Sequence, residues 1–258
     1  MTTRLKHLRE AVLMILTFSS GAVDAICFVS FGKVFSAFMT GNLVFLGIGA
    51  AGAFKPNGPD LVRVGVVIAA FIVGVSISAW IIKRARRSRV AGRGFSVSLV
   101  GVLVAQLVFL AGWIAVSGDP SDTYATALAA VEAVAMGMQS SAVGSLEVKS
   151  VFTTAATATL VNLGREAADR RVSDTDPGRL ARILICLIAG AVAGGLLLVN
   201  VRTYAPALST LATAAALGVH LQARRHARLV VPSSRDLVTT GDGSLVTGDP
   251  SVGYGEAA

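Results

Sequence analysis

The chain has 258 residues, of which 53% are hydrophobic and 15% charged, and its mean hydropathy is +0.69. Soluble domains carry about 25% charged residues, and here the charges gather in short connectors between long apolar segments. This pattern excludes an ordinary soluble domain and is typical of a polytopic helical membrane protein, because one span needs about 20 mostly apolar residues.

The net charge of +8 does not indicate a nucleic-acid partner. The basic residues adjoin apolar segments, as expected for loops beside anionic lipid headgroups, and no aromatic base-stacking platform accompanies them. The two cysteines and three histidines lack metal-ligand spacing. The sequence therefore predicts a lipid bilayer as the environment, with no metal, no cofactor and no nucleic acid.

Eight apolar segments are long enough to form membrane-embedded helices. In chain order they are Ala11–Phe31, Val34–Phe54, Leu61–Ile82, Phe95–Val116, Thr123–Gly144, Val151–Gly164, Leu180–Val201 and Tyr204–Leu221. From Leu229 onward the residues are mostly Gly, Ser, Thr and Asp, which predicts a disordered tail.

Lysine and arginine residues predict the orientation, because loops rich in them stay in the cytoplasm. These residues cluster at 4–9, 83–93, 165–179 and 224–228. The loop 117–122 contains two aspartates and neither lysine nor arginine, so it should be external. Both termini should be cytoplasmic.

The sides of the loops limit the number of crossings. The segments Ala11–Phe31 and Val34–Phe54 together must make one net crossing, and whether Val34–Phe54 is re-entrant or a full span stays open. The two segments between Thr123 and Gly164 must also make one. We therefore predict six net crossings, with this organisation: a cytoplasmic N-terminus (1–10), a first membrane half (11–116), an external loop (117–122), a second membrane half (123–221), and a cytoplasmic basic stretch with the disordered tail (222–258).

The two halves resemble each other in sequence. Residues 34–47 (VFSAFMTGNLVFLG) and 151–164 (VFTTAATATLVNLG) are identical at seven of 14 positions, at an offset of 117. Each half makes three crossings, an odd number, so the second half must be inverted. The predicted fold is an all-α polytopic helical bundle of two inverted halves, each with an interrupted first helix, as is typical of secondary transporters with a midplane site.

Asp24 lies within the first apolar segment. An ionisable group at the centre of a membrane helix costs about 2.5–3.5 kcal/mol on insertion scales, so it should face the bundle interior or water. Thr17, Ser20 and Gly21 share its helical face. This polar stripe is compatible with a substrate or ion contact, and equally with a structural hydrogen bond to a neighbouring helix.

Glu132 and Gln139 lie seven residues apart on the fifth segment and therefore share one helix face. If Glu132 approaches Asp24, each carboxyl group disfavours the charge on the other, which would suit proton handling. The alternative is a solitary structural glutamate paired with an arginine.

The run from Phe38 to Asn42 interrupts a long apolar region, because Gly41 and Asn42 are poor residues for a helix interior. Irregular backbone at membrane depth is tolerated where it is buried in protein or lines a cavity. We predict a broken or re-entrant helix at Thr40-Gly41-Asn42 whose free groups line a site; a continuous helix with a packing glycine is the alternative. The counterpart in the second half is the stretch with Thr157 and Thr159.

The sequence contains GAVDA at residues 21–25, MTGN at 39–42 and GMQ at 137–139. Together these motifs resemble the YoaK family of bacterial inner-membrane proteins, a family of unknown function, over the chain up to about residue 220. The chain departs from the family at Ser140, where Asn is usual, and at Ala158, where Gly is usual. The resemblance implies a multi-pass protein of the bacterial plasma membrane and supplies no substrate.

The leading hypothesis is a small-solute or ion transporter, with Asp24, Thr40, Gly41, Asn42, Glu132, Gln139, Thr157 and Thr159 as candidate binding residues. The alternative is a non-transporting membrane scaffold, partner subunit or lipid-binding sensor. A membrane enzyme is not expected, because the sequence contains no metalloprotease, nucleophile-elbow or phosphate-loop motif. Substrate, coupling ion, direction and homo-oligomerisation stay open.

The predicted orientation can be tested with single cysteines introduced at Ser88 and Ser121, in a background lacking Cys27 and Cys186. An impermeant thiol reagent added to intact cells should label position 121 and spare position 88, because the first lies in the external loop and the second in the most basic one. Labelling of position 88 alone would reverse the orientation.

Overall fold

The computed structural model describes residues 3–52, 58–87, 92–146, 160–161, 164, 177–230, 237–239 and 245–247. Within them the chain is almost entirely helical, which confirms the predicted all-α class. The helices are α1 (Thr3–Ser30), α2 (Met39–Ala50), α3 (Leu61–Arg86), α4 (Arg93–Ala115), α5 (Asp122–Gly144), α6 (Pro177–Asn200) and α7 (Ala207–Val230), with a 3-10 turn at Arg202–Tyr204.

Five of the described helices are long and apolar enough to cross a membrane: His7–Ser30, Leu61–Arg86, Arg93–Ala115, Asp122–Gly144 and Gly178–Asn200. The helix α2 has 12 residues and is about 18 Å long, shorter than the roughly 30 Å hydrocarbon core. It cannot cross that core alone. The helix α7 is long enough at 24 residues, and its C-terminal turns carry the basic residues predicted for a cytoplasmic end.

Two short strands, β1 (Leu237–Thr239) and β2 (Leu245–Thr247), pair antiparallel in the C-terminal tail. The sequence predicts no regular structure there. The remainder of the predicted disordered tail lies outside the described residues.

Consecutive long helices run in opposite directions, as two separate apolar clusters show. One cluster joins the end of α1 at Phe31, the start of α3 at Val64, the end of α4 at Trp113 and the start of α5 at Ala125. The other joins the opposite ends of the helices, at Leu13, Phe95, Val143, Ile183 and Ala216. The helices α1, α4 and α6 therefore run one way, and α3, α5 and α7 the other. We call the end at Phe31 and Trp113 the outer end.

The elements repeat at the offset found in the sequence. Adding 117 to the first residues of α1, α3 and α4 gives positions within three residues of the starts of α5, α6 and α7. The principal interfaces correspond as well, because α1 packs on α6 as α5 packs on α3. Each helix runs opposite to its counterpart. The aligned stretch 151–164 itself lies almost wholly outside the described residues.

Glycines allow both of these principal interfaces to close. A Cβ atom at Gly74 of α3 would lie 2.1 Å from the carbonyl oxygen of Val134, and one at Gly190 of α6 would lie 2.0 Å from that of Phe18. Backbones approach this closely only where no side chain intervenes. The GxxxG motif at Gly190 and Gly194 is therefore a packing surface, as its sequence predicts.

This packing can be tested by replacing Gly190 with alanine. The Gly190→Ala variant should lower the free energy of unfolding by about 1–3 kcal/mol, because the added methyl group forces α1 and α6 apart. The matched control is Gly195→Ala in the same helix, where no atom lies within 4 Å of the added Cβ and stability should be retained. Thermal unfolding in detergent measures both, and equal stability of the two variants would contradict the packing role.

Candidate functional site

The connector between α1 and α2 folds back along α1. It leaves the helix through two left-handed residues, Gly32 (φ 72°) and Lys33 (φ 66°). The Oδ1 atom of Asp24 accepts hydrogen bonds from the backbone N–H of Ser36 (2.8 Å), its hydroxyl (3.0 Å) and the backbone N–H of Ala37 (2.8 Å). Asp24 lies six residues, or about 9 Å, before the end of α1, so the connector reaches that far back into the bundle.

Asn42 holds the same connector from the other side. Its Nδ2 donates to the Phe35 carbonyl (2.7 Å), and its Oδ1 accepts from the Phe35 N–H (3.0 Å). The donor and the acceptor of the Asn42 amide thus both bond to Phe35, and Asn42 is fully buried. Asn42 therefore satisfies the connector's backbone and presents no free group to a site.

The interruption lies a few residues earlier than predicted. Residues 31–38 are non-helical, whereas Thr40, Gly41 and Asn42 form the first turn of α2. Gly41 is needed for packing, because a Cβ atom there would lie 2.7 Å from the Phe38 ring. The prediction of a break at Thr40-Gly41-Asn42 is wrong in position: the asparagine lowers helix propensity locally, but its bonds to Phe35 stabilise the first turn. Thr40 is exposed.

The helix α2 returns towards the outer end. Gly49, near its C-terminus, packs closely on Leu61 at the start of α3. Because Arg63, two residues further along α3, bonds to the Phe31 carbonyl at the end of α1, the chain enters and leaves the bundle at the same end between α1 and α3.

Glu132 is fully buried on α5 and faces α4. Its Oε1 accepts a hydrogen bond of 3.3 Å from the Gln106 amide, and its Oε2 has no partner. Gln106 is also fully buried, and its own Oε1 has no partner. In the described part of the chain, no arginine or lysine pairs with Glu132, so the expected structural ion pair is not seen there.

Gln139 lies two turns further along the same face of α5. Its Nε2 donates to the Leu16 carbonyl of α1 (3.2 Å), and its Oε1 is buried without a partner. The shared face of Glu132 and Gln139 thus contacts two helices of the first half, α4 and α1.

Asp24 and Glu132 lie within electrostatic range of each other, and the Cys27 thiol lies within range of both. Asp24 and Glu132 therefore lie in the same part of the bundle, and Gln139 lies further along it. Their convergence on one binding cavity stays a prediction. Thr157 and Thr159 lie outside the described residues.

The comparisons with known proteins place the chain in a family. The model of a protein family of unknown function (DUF1275) matches residues 12–219, which include the whole of α2 to α6, most of α1 and the first half of α7. The chain belongs to this family. It is 26% identical over 194 residues to the UPF0700 transmembrane protein YoaK of Bacillus subtilis (strain 168), a match that covers 72% of this chain and 83% of that protein. No solved structure matches.

The predicted resemblance to the YoaK family is thereby confirmed, and its three motifs lie at contacts between elements in this DUF1275 member. GAVDA supplies Asp24 and MTGN supplies Asn42, and both residues bind the connector. GMQ supplies Gln139, which binds α1.

Arg63 is a buried residue that sequence reasoning missed. Its guanidinium donates to the Phe31 carbonyl at the end of α1 (2.8 Å), to Thr126 (2.9 Å) and to both the carbonyl and the carboxylate of Asp122 (2.9 and 3.1 Å). It therefore ties α1, α3 and α5 together at the outer end and satisfies an orphan carbonyl at a helix C-terminus. An arginine at the start of an apolar segment gives no sequence signal of this role.

Gln106 and Ser36 were also missed. Gln106 lies in the middle of an otherwise apolar helix, so the argument applied to Asp24 would have found it. Ser36 follows a segment boundary and carries no comparable signal.

The role of Asp24 in holding the connector can be tested by substitution. Asp24→Ala should lower the free energy of unfolding by about 1–3 kcal/mol, because it leaves buried donors unpaired. Hydrogen exchange should show faster exchange at the amides of Ser36 and Ala37. Asp24→Asn is the matched control, since it keeps an acceptor oxygen; unchanged exchange in Asp24→Ala would contradict the role.

Proposed function

We propose that this protein is a small-solute or ion transporter of the bacterial inner membrane, with its site near the midplane between two inverted halves. The proposal includes six crossings with both termini in the cytoplasm. It assigns no enzymatic reaction and leaves homo-oligomerisation open.

The observation that carries the proposal is the polar face of α5. Glu132 and Gln106 lie within two residues of the midpoints of α5 and α4, so they lie near the centre of any bilayer that these helices span. The two residues belong to opposite halves and hydrogen-bond to each other. Each also has a buried side-chain oxygen without a partner. Buried polar groups are normally hydrogen-bonded, and intramembrane ionisable residues mark substrate or ion pathways.

The arrangement of the helices supports the same proposal. Counterpart helices run in opposite directions, and a non-helical segment enters the bundle beside Asp24. Secondary transporters place discontinuous helices next to a midplane site in this way. The family membership supports a transmembrane protein and names no activity.

One observation favours the alternative of a non-transporting scaffold, partner subunit or sensor. Asp24 is held by donors from the connector, so its carboxylate has a structural role. Asn42 likewise has its hydrogen bonds satisfied within the connector. The proposed site therefore rests on Glu132, Gln106 and Gln139 more than on Asp24 and Asn42.

A ligand-stabilisation screen tests the function directly. The purified protein is heated with amino acids, organic acids, sugars and inorganic ions, because a ligand that binds only the folded state raises its Tm. At least one class should stabilise the wild type, by about 2.7 kcal/mol at one hundred times its Kd.

The same ligand should stabilise Glu132→Gln and Gln139→Leu less. The control is Ser98→Ala, which removes a buried hydroxyl bonded to Ser78 (3.0 Å) between α3 and α4 and lies about two turns from Gln106. Uptake of the ligand into proteoliposomes then distinguishes transport from binding alone. A screen without any stabilising class, or equal stabilisation of all variants, would contradict a site on this face.

A further inference from the structure

The carboxyl group of Glu132 lacks what a carboxylate needs in a bilayer interior. It is fully buried, its Oε1 accepts a single long hydrogen bond from a neutral amide, and its Oε2 accepts none. An ionised carboxylate in an apolar environment is unfavourable unless it is paired with a positive charge and hydrogen-bonded. Glu132 therefore requires either a cation or a proton.

The described elements around α5 supply no positive charge at this depth. The charged residues of α3 lie at its two ends, as Arg63 near Thr126 and as the group Lys83, Arg84 and Arg86 in its last turn. The only charged residue of α4 is Arg93, at its start. From α1, the titratable groups that face Glu132 are Asp24 and Cys27, and neither carries a positive charge.

Gln106 can accompany the carboxyl group in both of its protonation states. Its amide N–H donates to the carboxylate in the geometry observed. Its amide oxygen, which has no partner, can accept from a protonated carboxyl group once the amide turns over, because one side chain carries both functions. A glutamine opposite a glutamate is therefore suited to a carboxyl group that gains and loses a proton.

We propose that Glu132 reversibly binds a proton and that this proton is the coupling ion of the transport proposed above, on which the inference rests. Gln106 acts as the positioning residue. When the proton binds, one O–H bond forms on the carboxyl group; when it leaves, that bond breaks and the proton returns to water, with no oxidation or reduction.

A proton fits the surroundings of Glu132 better than a metal cation does. Hard cations take about six or more oxygen ligands, whereas the described residues around this carboxyl group offer Glu132 Oε2 and the Gln106 oxygen as unpartnered acceptors. A bound proton needs one carboxylate oxygen to hold it and one acceptor for the O–H group that results. Asp24 does not compete for this role, because its Oδ1 already accepts three hydrogen bonds from the connector.

Infrared difference spectroscopy of the full chain in lipid nanodiscs tests the proposal without a known substrate. A change of pH kept well above the usual pKa of exposed aspartate and glutamate, about 4, should produce a carboxylic C=O band in the wild type. The band should be lost in Glu132→Gln and retained in Asp24→Asn and Ser98→Ala. Gln106→Leu should keep the band and shift its frequency, because the hydrogen bond to the carboxyl group is removed; a merely structural glutamine would leave the frequency unchanged.

Glu132→Asp is the control for misfolding of the glutamine variant. It keeps a carboxyl group, so it should restore a carboxylic band at a shifted position. A wild-type band that persists in Glu132→Gln would overturn the proposal, as would a band that responds to sodium at constant pH. Because the spectrum reports protonation alone, loss of the proton site alongside a positive ligand screen would reject proton coupling and leave the transport proposal standing.

Discussion

Inside a hydrocarbon layer, every backbone N–H and C=O needs a partner within the protein, and the rest of this structure depends on how residues 31–38 meet that constraint. Helices satisfy their own backbone groups, but this connector does not. It enters the bundle because Asp24 supplies an acceptor to two of its backbone N–H groups, and Asn42 supplies both a donor and an acceptor to Phe35. Arg63 donates in the same way to the carbonyl of Phe31, the first residue after α1. The side chains of Asp24, Asn42 and Arg63 thus form most of their hydrogen bonds with backbone groups.

The two intramembrane acids consequently have different surroundings. Asp24 belongs to a connector whose donors surround one carboxylate oxygen. Glu132 lies between helices whose backbone N–H groups already have partners, so only a side chain can donate to its carboxyl group. Gln106 donates to one of its two oxygens. The difference follows from local backbone geometry: an interrupted segment exposes N–H groups to a nearby carboxylate, whereas a continuous helix has none to offer. Glu132 is therefore the acid with an oxygen that accepts no hydrogen bond, although the two residues looked alike in the sequence.

The helix packing makes this arrangement possible. Glycine at positions 74 and 190 brings α3 against α5 and α6 against α1 at backbone contact, so two close crossings join the first half to the second. The polar face of α5 then lies between helices of the first half. A bundle with wider crossings would let larger side chains or lipid separate these groups.

Much of the architecture could be read from the sequence, and much of the site could not. The bilayer imposes a minimum apolar length and sorts basic loops to one side, so the long helices, their order and the 117-residue offset follow from local composition alone. The same logic flagged Asp24 and Glu132 as costly residues. Their partners depended on the tertiary structure, because Gln139 meets Leu16 across 123 residues and Gln106 meets Glu132 across 26, distances over which periodicity carries no information. The position of the interruption was also decided by tertiary contacts: Gly41 and Asn42 weaken a helix in isolation, but the bonds of Asn42 to Phe35 stabilise the turn and move the break to residues 31–38.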